Sequence, residues 1–81
     1  PTGTMYEEEQ LRPLAEICVR HNIMIISDEI YSRLVYNGHH FISIAALSDQ
    51  IKKYSVVLNG VSKTFAMTGW RIGWLIAPED Y

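Results

Sequence analysis

The sequence has almost nothing with which to cross-link itself. Its 81 residues hold a single cysteine, Cys18, so no intramolecular disulfide can form. No CxxC or HExxH spacing points to a structural metal, and no metal site is expected. Long apolar runs are missing too: nothing approaches the roughly 18–20 residues of a membrane span, and no basic segment leading into an apolar one opens the chain. Charge of one sign is scarce. Seven Lys and Arg against nine Asp and Glu give a net charge of −2, with the basic residues scattered rather than striped. This balance argues against nucleic acid or an anionic membrane as partner. Internal repeats and low-complexity stretches are absent, and Pro1-Thr2-Gly3 stands where an initiator Met would be. The expectation is a cytoplasmic α/β segment of something longer.

What is present is 48% hydrophobic residues against 20% charged, in a length that allows one small domain at most. A chain this short buries only about 60% of the surface its unfolded form exposes, so its core is marginal without outside support. Thr4 with Glu7 fits a capping box, and Glu7-Glu8-Glu9 sets three carboxylates where a helix dipole favours them. Leu11, Leu14, Ala15, Ile17 and Cys18 recur at three- and four-residue spacing and make one apolar stripe, with Cys18 read as a small core residue. The spacing predicts a helix from about Glu8 to His21, with Pro13 as its flaw and Asn22 as a left-handed stop.

Ile23 to Ile26 is continuously apolar, as in a strand covered on both faces, and ends abruptly at Ser27-Asp28-Glu29-Ile30-Tyr31. Asn37-Gly38 signals a turn, and Ile42 to Leu47 a short helix. A second buried strand follows at Ser55 to Leu58, then a loop from Val61 to Gly69. A third strand is expected over Arg71 to Ala77, with Trp70 and Trp74 on one facing. Strands apolar on both faces need two helical layers, and the sequence supplies little more than one long helix. The chain alone is therefore expected to leave apolar faces and strand edges uncovered.

Open α/β sheets bind ligands outside the carboxyl ends of their strands, which directs attention to Asp28 and Lys63. Lys63-Thr64 ends like a phosphate loop, but Ser62 stands where that motif needs glycine. Two readings of Lys63 remain: a solvated surface lysine, or a Schiff-base lysine desolvated at a strand end. Asp28 reads as a cap or turn residue, or as the partner of a ligand cation. Tyr31 shares its side if the chain turns helical there. Arg71, between Trp70 and Ile72, reads as a buried guanidinium holding an anion. His39-His40 reads as an exposed turn, and His21 as a cation favoured by the helix dipole.

Three segments together resemble one family. Pro1-Thr2-Gly3-Thr4 resembles the end of an Asn-Pro-x-Gly motif, Asp28-Glu29-Ile30-Tyr31 matches Asp-x-x-Tyr, and Ser62 to Gly73 matches a lysine signature almost throughout. In order and spacing they are similar to the class I/II aminotransferases of fold type I, the family that includes aspartate aminotransferase. The resemblance spans essentially the whole chain. It implies part of a three-layer, mostly parallel sheet: a partial large domain binding pyridoxal 5'-phosphate (PLP), with no second domain in this chain.

It also implies roles. Lys63 would form the Schiff base and shuttle a proton, and Asp28 would hold the pyridine nitrogen protonated. Tyr31 would hydrogen-bond the ring hydroxyl, and Arg71 would clamp the phosphate. The implied activity moves an amino group between an amino acid and a 2-oxo acid by a ping-pong mechanism, in a homodimer. The stretch Met67 to Arg71 leans toward the aspartate, aromatic or alanine-type branch, and the segment alone is expected to be inactive. Many relatives carry a phosphate-binding Ser three residues before the lysine; this chain has Gly60. Two alternatives stay open: a PLP-dependent carbon–sulfur β-lyase, and a ligand-sensing domain of a transcription regulator.

Overall fold

A computed structural model describes residues 2–80 of the chain; Pro1, which opens the first of the three motif segments, lies outside them. Helix α1 runs Glu8–Arg20, through Pro13 without a break. Its cap lies one turn later than Thr4. Glu7 is the N-cap and its N–H donates to Gln10 Oε1 at 3.0 Å, while the Thr4 hydroxyl pairs with that of Thr2. The helix ends in a Schellman motif: Asn22, left-handed at φ 55°, donates to the Val19 carbonyl, and the Ile23 N–H donates to that of Cys18. This is why strand β1 is Ile25–Asp28 and not Ile23–Ile26. Ile23 is still bonded to the helix end, and the strand instead continues through Ser27 and Asp28.

The turn at Asn37-Gly38 forms as expected, with φ of 58° and 75° and a bond from the His39 N–H to the Tyr36 carbonyl. The short helix expected over Ile42–Leu47 is a single 3-10 turn, Ile44–Ala46. Helix α2, Asp49–Lys52, was not foreseen by periodicity, being only four residues long; the Ser48 hydroxyl caps it by accepting from the Ile51 N–H. Strand β2 is Ser55–Gly60. Within the expected loop lie helix α3, Val61–Thr64, and a 3-10 turn, Thr68–Trp70. Strand β3 is Gly73–Ile76.

The sheet order is β1-β2-β3. Strands β1 and β2 are parallel, with Ile25 opposite Ser55 and Asp28 opposite Leu58. Strands β2 and β3 are antiparallel, with Gly60 opposite Gly73. Strand β3 starts late because Arg71 is left-handed, although the Val61 N–H still donates to the Ile72 carbonyl one step beyond the Gly60–Gly73 pair. Trp70 therefore sits in the 3-10 turn and does not share a strand facing with Trp74.

Ala15, Ile44, Leu47 and Ile51 form the buried core, with Leu11, Val19, Ile25 and Ile42 packed against it. Only part of the helix stripe reaches it. Leu14 and Ile17 are exposed, and Cys18 is half-buried beside the core rather than in it. Ile26, Leu75 and Ile76 project from the sheet into solvent. The accessible surface is 6305 Å², against about 5,000 Å² for a compact protein of this mass. The chain thus forms an α/β unit whose sheet is only partly covered, with β3 bare on both faces. No helix among the described residues is long and apolar enough to cross a membrane.

Candidate functional site at one end of the sheet

The register brings the sequence-predicted residues to one end of the sheet. Asp28 closes β1, and its Oδ1 accepts from the Ile30 N–H at 3.1 Å, holding the chain in a turn as it leaves the sheet. The Glu29 N–H extends the ladder to the Leu58 carbonyl at 2.8 Å. Two further turns follow, from the Ser32 N–H to the Glu29 carbonyl and from the Leu34 N–H to the Tyr31 carbonyl. Tyr31 rides on this segment, exposed. Asp28 therefore is a turn residue in its backbone bonds, while its carboxylate remains on the surface.

Lys63 stands in α3, which begins directly after the carboxyl end of β2. Its Nζ lies 5.6 Å from the centroid of the Tyr31 ring, within the range of a cation–π contact. Gly60 is the hinge between strand and helix. A Cβ there would meet the Ile72 carbonyl oxygen at 2.9 Å, so β3 passes too close for any side chain. Glycine at this position is thus dictated by the close approach of two backbones.

Arg71 arrives at the same end from β3, since Ile72 bonds Val61 and Gly73 faces Gly60. The expectation of a buried guanidinium is corrected. Arg71 is exposed, and its Nη1 donates to the Thr68 carbonyl of its own loop at 3.0 Å. It is also left-handed at φ 54°, and Ala66 earlier in this loop at φ 51°. Lys63 is likewise exposed, so the dry setting that would activate its amine is not supplied by these residues.

A residue that spacing did not single out is Glu29. It is only 7% exposed, and its Oε1 accepts from Ser43 Oγ at 2.8 Å and Ser27 Oγ at 3.2 Å. The available signal was parity: Glu29 follows Asp28 at a strand end, so the two carboxylates face opposite ways. Asn59 was also passed over. Its side chain accepts from the Gly60 N–H at 2.8 Å and donates to Ser32 Oγ at 3.3 Å. A hollow of about 650 Å³ is lined by Glu29, Ser32, His39, Asn59, Phe65 and Trp74. Asp28, Tyr31, Lys63 and Arg71 do not line it. His39 is exposed as expected and pairs with Glu7 at 2.6 Å; His21 caps α1.

A primary amine, a phenol, a carboxylate and a guanidinium thus share one edge of the sheet, all exposed. That donor set suits a ligand with an electrophilic carbon, a basic nitrogen and an anionic group.

Comparison with known proteins points the same way. The family model described as "Aminotransferase class I and II" matches residues 1–81. The aspartate aminotransferase of Bacillus subtilis is 55% identical over 80 residues, covering 99% of this chain and 20% of that protein. The asparagine–oxo-acid transaminase of Streptococcus mutans is 47% identical over 80 residues, with the same coverage. The chain therefore spans about a fifth of the length of the curated relatives it matches. Among solved structures, the aspartate aminotransferase of Rhizobium meliloti superposes with a TM-score of 0.92 at 40% identity, covering 99% of this chain and 20% of that one. A PLP-bound aminotransferase candidate from Clostridium difficile superposes with a TM-score of 0.94 at 31% identity, covering 99% and 21%.

Proposed function

This chain belongs to the class I and II aminotransferase family, and from that premise we propose that the whole protein moves an amino group between an amino acid and a 2-oxo acid with the help of pyridoxal 5'-phosphate. The observation that carries the reading is the meeting of Lys63 and Tyr31, with Nζ 5.6 Å from the ring centroid, at the carboxyl ends of two parallel strands, the first of which Asp28 closes. The three relatives named above by substrate are all transaminases, which favours transfer over the lyase and sensing alternatives. Aspartate and asparagine are the donors their names suggest.

Bound there, PLP supplies an electron sink for the charge left when a substrate loses its α-proton. Each residue's part follows from its chemistry. Lys63 would hold the cofactor through its amine and, when that amine is free, would carry the proton to and from the substrate's α-carbon. Asp28 keeps the ring nitrogen protonated by charge pairing. Tyr31 would donate a hydrogen bond to the ring oxygen, and the position of its ring beside Lys63 limits where Nζ can go. Arg71, which here donates to the neutral Thr68 carbonyl, would hold the phosphate, a charged and stronger acceptor.

The same reading makes residues 1–81 part of the cofactor-binding large domain of a cytoplasmic homodimer. Its bare apolar faces are then covered by polypeptide outside these residues, which would also dry the surroundings of Lys63. The test is borohydride reduction of the whole protein incubated with PLP, followed by peptide mapping. A single reduced adduct on Lys63 is expected. An unmodified Lys63, or label spread over several lysines, overturns the reading.

A further inference from the structure

We infer that Glu29 is a positioning residue for the cofactor site, setting Asp28 and Tyr31 through the segment between them; this rests on the function proposed above. The segment 28–34 is held from within only by bonds between near neighbours, from Asp28 Oδ1 to Ile30 and through the Glu29 and Tyr31 carbonyls. Such turns fix local shape but not the segment's place on the protein. Its anchors to distant parts are few: the ladder bond of the Glu29 N–H, the Asn59–Ser32 contact at 3.3 Å, the Lys63–Tyr31 ring contact, the Ile30 side chain beside Gly60, and the Glu29 carboxylate. The last is the strongest, because charged acceptors hold hydroxyls more tightly than neutral ones. It reaches Ser43, fourteen residues away, at 2.8 Å and ties Ser27 of β1 to the same oxygen.

A carboxylate is a costly residue to bury for packing alone, and an apolar side chain would fill the space without desolvating a charge. What an apolar residue could not do is hold two hydroxyls in fixed directions. Fixing Glu29 fixes its neighbour Asp28, whose Cα is about 3.8 Å away, on the opposite facing. Two residues on, it fixes the start of the turn that presents Tyr31 to Lys63. Glu29 touches neither partner in this site and lies on the opposite facing from Asp28. Its effect is therefore transmitted by the backbone.

The test uses the whole protein and three variants, Glu29→Ala, Glu29→Gln and Ser43→Ala. Three quantities are read: PLP affinity of the cofactor-free protein, the pH midpoint of the bound cofactor's absorbance, and the melting temperature. Glu29→Ala is expected to weaken PLP binding about tenfold and to displace the absorbance midpoint, as loss of bonds to a charged acceptor should. Glu29→Gln keeps an acceptor oxygen and is expected to restore affinity to within about threefold of wild type. A Glu29→Ala protein with a lower melting temperature but unchanged affinity and midpoint overturns the inference, since its role would then be packing alone. Should that variant not fold, Ser43→Ala is read in its place, with about a threefold loss expected and unchanged values overturning the inference. A wild-type protein that takes up no PLP overturns both this inference and the function on which it rests. Normal uptake by wild type together with normal uptake by Glu29→Ala removes the inference and leaves the function standing.

Discussion

The two flanks of strand β2 are built on different terms. On one side, Ala15, Ile44, Leu47 and Ile51 close over one another, and a Schellman motif and the Ser48 cap satisfy the helix ends. On the other, from Lys63 to Ile76, the large apolar residues Phe65, Trp70, Ile72, Trp74, Leu75 and Ile76 are all exposed, and two non-glycine residues are held left-handed. The first flank closes a core within these residues, although Leu14, Ile17 and Ile26 on it stay exposed. The second has fixed its backbone without covering its side chains, which is how a segment looks when its partners are a ligand and other polypeptide. Stability should therefore rest on the core of the first flank and chemistry on the strand ends, Asp28 and Tyr31 after β1 and Lys63 and Arg71 on the second flank, and each substitution below would break or sharpen that division.

The largest effect belongs to Lys63→Ala. In the whole protein, turnover should fall on the order of 10³–10⁴-fold, the scale of losing a positioned proton carrier. The melting temperature of the cofactor-free protein should hardly move, because Lys63 is exposed and its amine meets the Tyr31 ring at the 5.6 Å of a weak surface contact. A marked drop in stability would mean that the second flank is also structural.

Ile51→Ala is the counterpart. Ile51 is 3% exposed at the centre of the closed flank, and its truncation should cost about 2–5 kcal/mol in urea denaturation. Turnover per folded molecule should remain near wild type. If turnover fell as steeply as stability, the two flanks would be coupled and the comparison would fail.

The division also governs what could be read from sequence. The Glu8–Arg20 helix, its left-handed stop at Asn22 and the Asn37-Gly38 turn were legible, because each depends on the conformational preference of one or two residues. The α/β class was legible from apolar runs too long for alternating strands. Boundaries were not: Ile23 looks like strand but is bonded to the helix end, and Thr4 looks like a cap but loses that place to Glu7. The exposure of Arg71 could not be read, since apolar neighbours imply burial only where something covers them, whereas an exposed Lys63 is one of the two readings its position left open. At the site, the residue types and their order were legible from motifs, whereas the burial of Glu29 depends on Ser43, fourteen residues away, and has no local signature.

A smaller effect is expected from Gly60→Ser, which installs the hydroxyl that many relatives use against the phosphate. Here the new Cβ would meet the Ile72 carbonyl at 2.9 Å, and backbone cannot yield as a flexible side chain does. The variant should lose about 1–3 kcal/mol of stability and gain no PLP affinity. A stable variant binding PLP more tightly would show that β3 can retreat from β2, and that the second flank is softer than its backbone bonds imply.

The smallest effect isolates the left-handed backbone of Arg71. Arg71→Ala and Arg71→Gly both remove the guanidinium, so both should weaken PLP binding equally. They differ in that alanine keeps the cost of φ 54° while glycine relieves it. Glycine should therefore be the more stable of the two by about 1 kcal/mol, measured by urea denaturation of the cofactor-free proteins. That difference would place strain and anion recognition on one residue, in the flank that packs least. Equal stabilities would mean that the loop relaxes once the Arg71 contact to the Thr68 carbonyl is gone, so that the guanidinium itself holds the left-handed turn in place.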